Sequence, residues 1–144
     1  MQVKYFYSPN FNEKRRSLNL INTIIIHYTG MQSERESLLR LCDLRSKVSC
    51  HFMINKKGKV FRLMPDNYIA WHAGKSCWSK YININNNSIG IELVNKGHRF
   101  GYENFSKKQI RSLTKVCKDL AKRYGIKKKN ILGHSDVAPL RKID

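Results

Sequence analysis

The stretch Thr23-Ile24-Ile25-Ile26-His27-Tyr28 decides the fold. Its apolar residues fill both alternating positions, which suits a central strand covered on both sides. A strand of that kind needs layers above and below it, so the chain reads as α/β. Residues 51–55 and 60–64 alternate as two further strands around the turn-rich connection Asn55-Lys56-Lys57-Gly58-Lys59. Ser88 to Val94 is another strand. Glu34 to Leu44 reads as a helix with Leu38, Leu41 and Cys42 on one face. A second helix begins at Ser106, where Ser106-Lys107-Lys108-Gln109 has the form of a capping box. Its buried stripe is Ile110, Leu113, Val116, Cys117, Leu120 and Tyr124, and Gly125 is placed to end it. The order predicts one domain, a mixed central β-sheet flanked by helices. Residues 1–20, with Pro9-Asn10 and Lys14-Arg15-Arg16, read as an irregular N-terminal lead-in to a domain over 21–144.

The length of 144 residues is enough to bury one substantial core. No apolar run approaches the length of a membrane span, and Met1 to Asn10 lacks a charged-then-apolar signal pattern. The chain is therefore expected in the cytoplasm, or in the periplasm or outside the cell if a leading segment has been trimmed. Cys42, Cys50, Cys77 and Cys117 form no Cys-x-x-Cys pair and read as reduced thiols. The charge is the unusual quantity: 28 Lys+Arg against 10 Asp+Glu, a net +18. Such a field attracts polyanions. The basic residues are scattered, however, in short clusters such as Lys56-Lys57 and Lys127-Lys128-Lys129, and form no helix stripe interleaved with aromatics. Specific nucleic-acid binding is therefore the weaker reading, and general attraction to an anionic matrix the stronger.

Chemistry gathers at the two ends. Gly133-His134-Ser135-Asp136-Val137-Ala138-Pro139-Leu140-Arg141-Lys142-Ile143-Asp144 brings a histidine, a lysine and two carboxylates together after a short apolar run. His27 lies where the first strand leaves the core. Either histidine alone is more often a hydrogen-bonded or surface residue than a ligand. Two distant imidazoles plus one carboxylate, however, are the donor set of an open zinc site. On the strand Ser88 to Val94, alternation puts Gly90, Glu92 and Val94 on one face and Ile89, Ile91 and Leu93 on the other. A glutamate there is costly to bury without a partner or a purpose. A salt bridge to a lysine is the plain alternative. Residues 65–87 form a long segment of little periodicity that carries Trp71, His72 and Trp78.

Six segments in order resemble the zinc N-acetylmuramoyl-L-alanine amidases of the AmpD and AmiD type, whose wider kin include phage lysozyme-type amidases and peptidoglycan recognition proteins. They are Ile-Ile-Ile-His-Tyr-Thr (24–29), Val-Ser-Cys-His-Phe-Met-Ile (48–54), Gly58-Lys59-Val60-Phe61, Ala-Trp-His-Ala-Gly (70–74), Asn-Ser-Ile-Gly-Ile-Glu-Leu-Val (87–94) and the closing segment 133–144. The resemblance implies the amidase fold, with His27, His134 and Asp144 holding one Zn2+ per chain. It leaves Asp136 to orient a histidine or cap a turn. It implies Glu92 as general base and then acid, and Lys142 as the cation facing the developing oxyanion. Trp71, His72 and Tyr28 become substrate-binding residues, with Trp71 and His72 on the rim of a groove and Gly90 leaving room for substrate. His51 is expected to pack or hydrogen-bond inside its strand. Cys50 departs from those relatives that carry a catalytic tyrosine at this place. The implied reaction is cleavage of the amide between the lactyl group of N-acetylmuramic acid and L-alanine, in peptidoglycan fragments or anhydro-muropeptides, by a monomer. A non-catalytic peptidoglycan-recognition module of the same fold is the alternative. Relatives continue past this aspartate, so the resemblance also implies a shortened C-terminus, with zinc tethering Asp144.

Overall fold

A computed structural model describes residues 3–144. In chain order the elements are β1 (Val3–Tyr5), β2 (Thr23–Tyr28), α1 (Glu34–Cys42), β3 (Phe52–Ile54), β4 (Val60–Arg62), β5 (Cys77–Trp78) and β6 (Tyr81–Ile82). They continue with β7 (Ser88–Leu93), α2 (Lys107–Tyr124), β8 (Ile131–Gly133) and the short α3 (His134–Val137). Among the described residues, six strands form one sheet in the order β1-β4-β3-β7-β2-β8, and β5 pairs with β6 apart from it. Only β3 and β4 run antiparallel within that sheet, because a short turn joins them. The other neighbours are parallel.

The unbroken apolar run of β2 has a direct structural cause. Ile24 and Ile25 point to opposite faces and are both 0% exposed. On one face Ile24, Ile89, Ile91 and Leu93 pack under Val116, Cys117 and Leu120 of α2. On the other, Ile25 packs with Ala73, Ile84, Leu132 and Val137, while Met53, Phe61 and Val94 pack with Leu41 of α1. The second face therefore carries two separate apolar clusters. Among the described residues no helix is long and apolar enough to cross a membrane, and all four cysteines are free.

Three expectations change. Residues 3–20 are not an irregular lead-in: β1 joins the sheet edge beside β4. The Asn10 amide, 0% exposed, donates to the carbonyls of Asp43 (2.9 Å) and Val48 (2.8 Å). Buried Arg16 donates to the carbonyls of Asp66, Asn85 and Ser88. A three-residue edge strand has no periodicity to read, which is why the pattern was silent. The capping box is only half made. Ser106 Oγ accepts from the Gln109 N–H (3.1 Å), but the Gln109 amide turns inward to the carbonyls of Ile54 (2.9 Å) and Val94 (3.1 Å). Finally, Ile110 is 41% exposed and is not part of the buried stripe of α2.

Candidate active site

The parallel strands β7, β2 and β8 all end at the same edge, where open α/β sheets place their ligands. His27 and Glu92 are register partners on β2 and β7, so they stand side by side on one face. β8 ends at Gly133, and the chain turns there into α3 with His134 as its first residue. The Asp136 carboxylate accepts from the Gly133 N–H (2.7 Å) and so caps that turn. The closing segment then folds back. The Asp144 backbone oxygen accepts from the Ser135 N–H (2.6 Å), and its carboxylate enters the same corner.

Three donor atoms converge there. His27 Nδ1 and His134 Nδ1 are 2.9 Å apart, and Asp144 Oδ2 is 3.3 Å from each. Zinc–ligand bonds of about 2.0–2.1 Å in a tetrahedron put neighbouring ligand atoms roughly 3.3 Å apart, so the spacing suits that ion. Hydrogen-bond direction supports the same fit. His134 Nε2 lies 3.0 Å from the Ala73 carbonyl, which can only accept, so the ring proton sits on Nε2 and Nδ1 keeps its lone pair. His27 Nε2 lies 3.0 Å from His72 Nδ1. Burial lowers the His27 pKa to about 4, against the opposing influence of adjacent Asp144, so the ring is neutral at neutral pH. For Asp144, burial acts to raise the pKa, but the adjoining His134 and His27 rings outweigh it and hold the carboxyl ionised. Among the described residues these three are the group able to hold a metal ion.

Glu92 adjoins them. The residue is half-buried, yet its Oε2 is buried without a hydrogen-bond partner. Burial first, then the charge of Asp144, raises its pKa to about 8, and nearby Lys142 works against the rise. Glu92, Lys142, Trp71, Tyr28 and the three donors line one cleft, which continues past Thr29 and Ser49 to Arg40 of α1.

A model of the N-acetylmuramoyl-L-alanine amidase family matches residues 17–144. The chain belongs to the N-acetylmuramoyl-L-alanine amidase family. Its curated relatives include AmiD of Escherichia coli, 37% identical over 86% of this chain and 48% of the relative. Another is AmpD of Haemophilus influenzae, 30% identical over 95% and 82%. The chain thus spans about half the length of AmiD. A structure of E. coli AmiD with anhydro-N-acetylmuramic acid-L-Ala-D-γ-Glu-L-Lys superposes with a TM-score of 0.78, covering 87% of this chain and 52% of that one. A crystal structure of AmpD superposes at 0.82, with 24% identity, over 99% and 86%. That likeness is one of fold.

Within this amidase-family site the sequence-derived residues fall into two groups. His27, His134, Asp144, Glu92 and Lys142 share the corner just described. Trp71 stands over the cleft with its indole N–H donated to Asn12 Oδ1 (2.6 Å). The Tyr28 hydroxyl meets His98 Nδ1 at 2.8 Å on the exposed side. His72 differs from its expected place on a groove rim. It lines the inner wall of the cleft beside His27, only 9% exposed, because its ring lies against Gly90. A Cβ at Gly90 would stand 2.5 Å from His72 Cγ, so this glycine makes room for an imidazole and not for substrate. His51 is buried beside it, with Nδ1 accepting from the Gly90 N–H (3.1 Å). Cys50 is buried beneath the site, and burial together with the Glu92 charge keeps its thiol protonated. Pattern reading missed Ser88 and Arg16. Ser88 was within reach, since the alternation that aligned Gly90 and Glu92 extends back to it. Arg16 left no signal, because its partners are backbone carbonyls far along the chain.

Proposed function

We propose that this chain is a zinc-dependent amidase that hydrolyses the amide between the lactyl group of N-acetylmuramic acid and L-alanine. The observation that carries the reading is Glu92 Oε2, buried and unpartnered, in the corner where two imidazole lone pairs and a carboxylate converge. Such a group is costly unless it has work to do. His27, His134 and Asp144 would hold a zinc ion, which would supply a Lewis acid for the amide carbonyl and a neighbouring water, and whose charge would favour the ionised form of Glu92. Glu92 takes a proton from the attacking water and returns it to the departing nitrogen of L-alanine, so that the C–N bond breaks with an amine as leaving group. The Lys142 ammonium faces the negative charge that develops on the carbonyl oxygen. Trp71 and Tyr28 border the cleft and offer flat apolar surface to sugar or peptide. The cleft, about 220 Å³, takes the reacting amide while sugar and peptide extend along the surface. The ligand in the AmiD structure supports anhydro-muropeptides and related peptidoglycan fragments as the substrate class.

Mass spectrometry of an anhydro-muropeptide digest tests this. Release of intact stem peptide should require zinc, stop with a chelator, and fall by about 10²–10⁴-fold in Glu92→Gln while zinc is retained. Cleavage that survives complete metal removal would sink the mechanism. Tight muropeptide binding without any cleavage would assign the chain as a recognition module.

A further inference from the structure

A chain of hydrogen bonds runs from the candidate metal corner into the protein, and its direction can be read from its far end. Ser88 Oγ lies 2.6 Å from the Ile84 carbonyl oxygen, which only accepts, so the single hydroxyl proton of Ser88 is committed there. Ser88 Oγ is then an acceptor for its other neighbour, His72 Nε2, at 3.1 Å. The proton of His72 therefore sits on Nε2, and its Nδ1 carries a lone pair. That lone pair faces His27 Nε2 at 3.0 Å, which must be the donor. His27 is thereby left with a lone pair on Nδ1, the atom 2.9 Å from His134 Nδ1 and 3.3 Å from Asp144 Oδ2. A backbone carbonyl three links away thus dictates which nitrogen of His27 is free.

Two further features hold this chain in place. The His72 ring lies edge-on to His27, with centroids 5.2 Å apart at 78°, and it fits only because residue 90 is glycine. The backbone beneath is fixed at both ends: the Ser88 carbonyl accepts from Arg16 Nη1 (2.7 Å), and the Gly90 N–H donates to His51 Nδ1. The strand that carries Ser88, Gly90 and Glu92 thus seats His72 as well as the acid/base candidate.

We propose that His72, oriented by Ser88, is a positioning residue that holds His27 as its Nε2–H tautomer and so aims the Nδ1 lone pair at the metal. The proposal rests on the zinc reading above, and it adds a role for two residues outside the three metal donors. Such outer partners of a metal-ligating histidine fix its tautomer and raise its basicity.

The test uses the full chain, with long-range 1H–15N NMR of the metal-free protein and zinc affinity by chelator competition. In the unmodified chain His27 and His72 are expected wholly as Nε2–H tautomers. His72→Leu should leave His27 as a mixture and weaken zinc by about 10- to 100-fold. His72→Asn places a carboxamide oxygen where Nδ1 stood, and should recover most of that affinity and restore the His27 tautomer. A folded His72→Leu protein with His27 still wholly Nε2–H, or with zinc affinity within about twofold of the unmodified chain, overturns the proposal. So does an Asn variant no better than Leu, which would assign the loss to packing. Should His72→Leu fail to fold, Ser88→Ala decides: a mixed His72 tautomer with weakened zinc supports the relay, and unchanged values overturn it. If the unmodified chain takes up no zinc, the zinc reading fails separately, while the tautomers of the metal-free chain still judge the relay.

Discussion

Burial drives His27 and Glu92, neighbours across β2 and β7, in opposite directions on the pH scale. It lowers the imidazole to about 4 and raises the carboxyl to about 8, in each case favouring the neutral form. The consequence is a stability profile for the metal-free protein. Over the interval between its folded value near 4 and its unfolded value of 6.5, His27 binds fewer protons folded than unfolded, so stability rises with pH there. Buried His72 and His51 add to that arm, since their pKa values also lie well below the ordinary value. Glu92 does the reverse: from its unfolded 4.5 to about 8 the folded state holds the extra proton, and stability falls as pH rises. The two effects oppose each other up to about 6.5, and above it Glu92 acts without them. Urea unfolding of metal-free protein should therefore show a falling arm between about pH 6.5 and pH 8 that is absent in Glu92→Gln. An unchanged arm in that variant would mean the carboxyl is not held neutral. At this scale much was legible in advance. Alternation alone put Glu92 on the face of Gly90 and Val94, and the two distant histidines and the closing aspartate singled out by the pattern do converge on one corner. The place of His72 was not legible, because a loop residue's neighbours depend on where the loop lands.

At the scale of elements, one side chain shows how local signals are diverted by tertiary demand. Gln109 occupies the third position of α2, where a capping box would send it back to the Ser106 N–H. Two carbonyls at strand ends, those of Ile54 and Val94, claim it instead, and it is 1% exposed. The Ile54 carbonyl also accepts from the Val94 N–H (3.0 Å), so Gln109 ties the start of α2 to β3 and to the exit from β7 together. Gln109→Leu keeps similar bulk but leaves the buried Val94 carbonyl without this donor. The expected loss is about 1–3 kcal/mol of unfolding free energy by urea titration. A loss no larger than about 0.5 kcal/mol, the size typical of a surface change, would show that the tie is not structural. The same logic explains what the pattern conveyed of the elements. Strong periods such as β2, β7 and most of α2 were readable because burial itself imposes them. β1 and the Arg16 anchor were not, since three residues and one long-range cation leave no period in the chain.

For the molecule as a whole, the charge is more one-sided at the surface than the count of ten acidic residues implies. Asp66 is buried between Arg62 (2.7 Å), Arg123 and the Tyr124 hydroxyl, and Glu92 and Asp144 belong to the cleft. What faces outward is therefore overwhelmingly lysine and arginine. A diffuse cationic surface concentrates the protein on any polyanionic matrix, and the attraction decays over a Debye length of about 8 Å at physiological salt. Two substrates of one chemistry should then respond differently to salt. Cleavage of intact wall that bears anionic polymer engages many charges at once and should weaken steeply between about 0.05 M and 0.5 M NaCl. Cleavage of a soluble anhydro-muropeptide engages few, and should change by no more than about threefold over the same range. Cosedimentation with wall stripped of its anionic polymer separates the field from the site: binding should fall at low salt, and its salt dependence should largely vanish. Equal salt dependence on stripped wall, intact wall and the soluble fragment would show that the charge acts at the cleft itself and not through the surface as a whole.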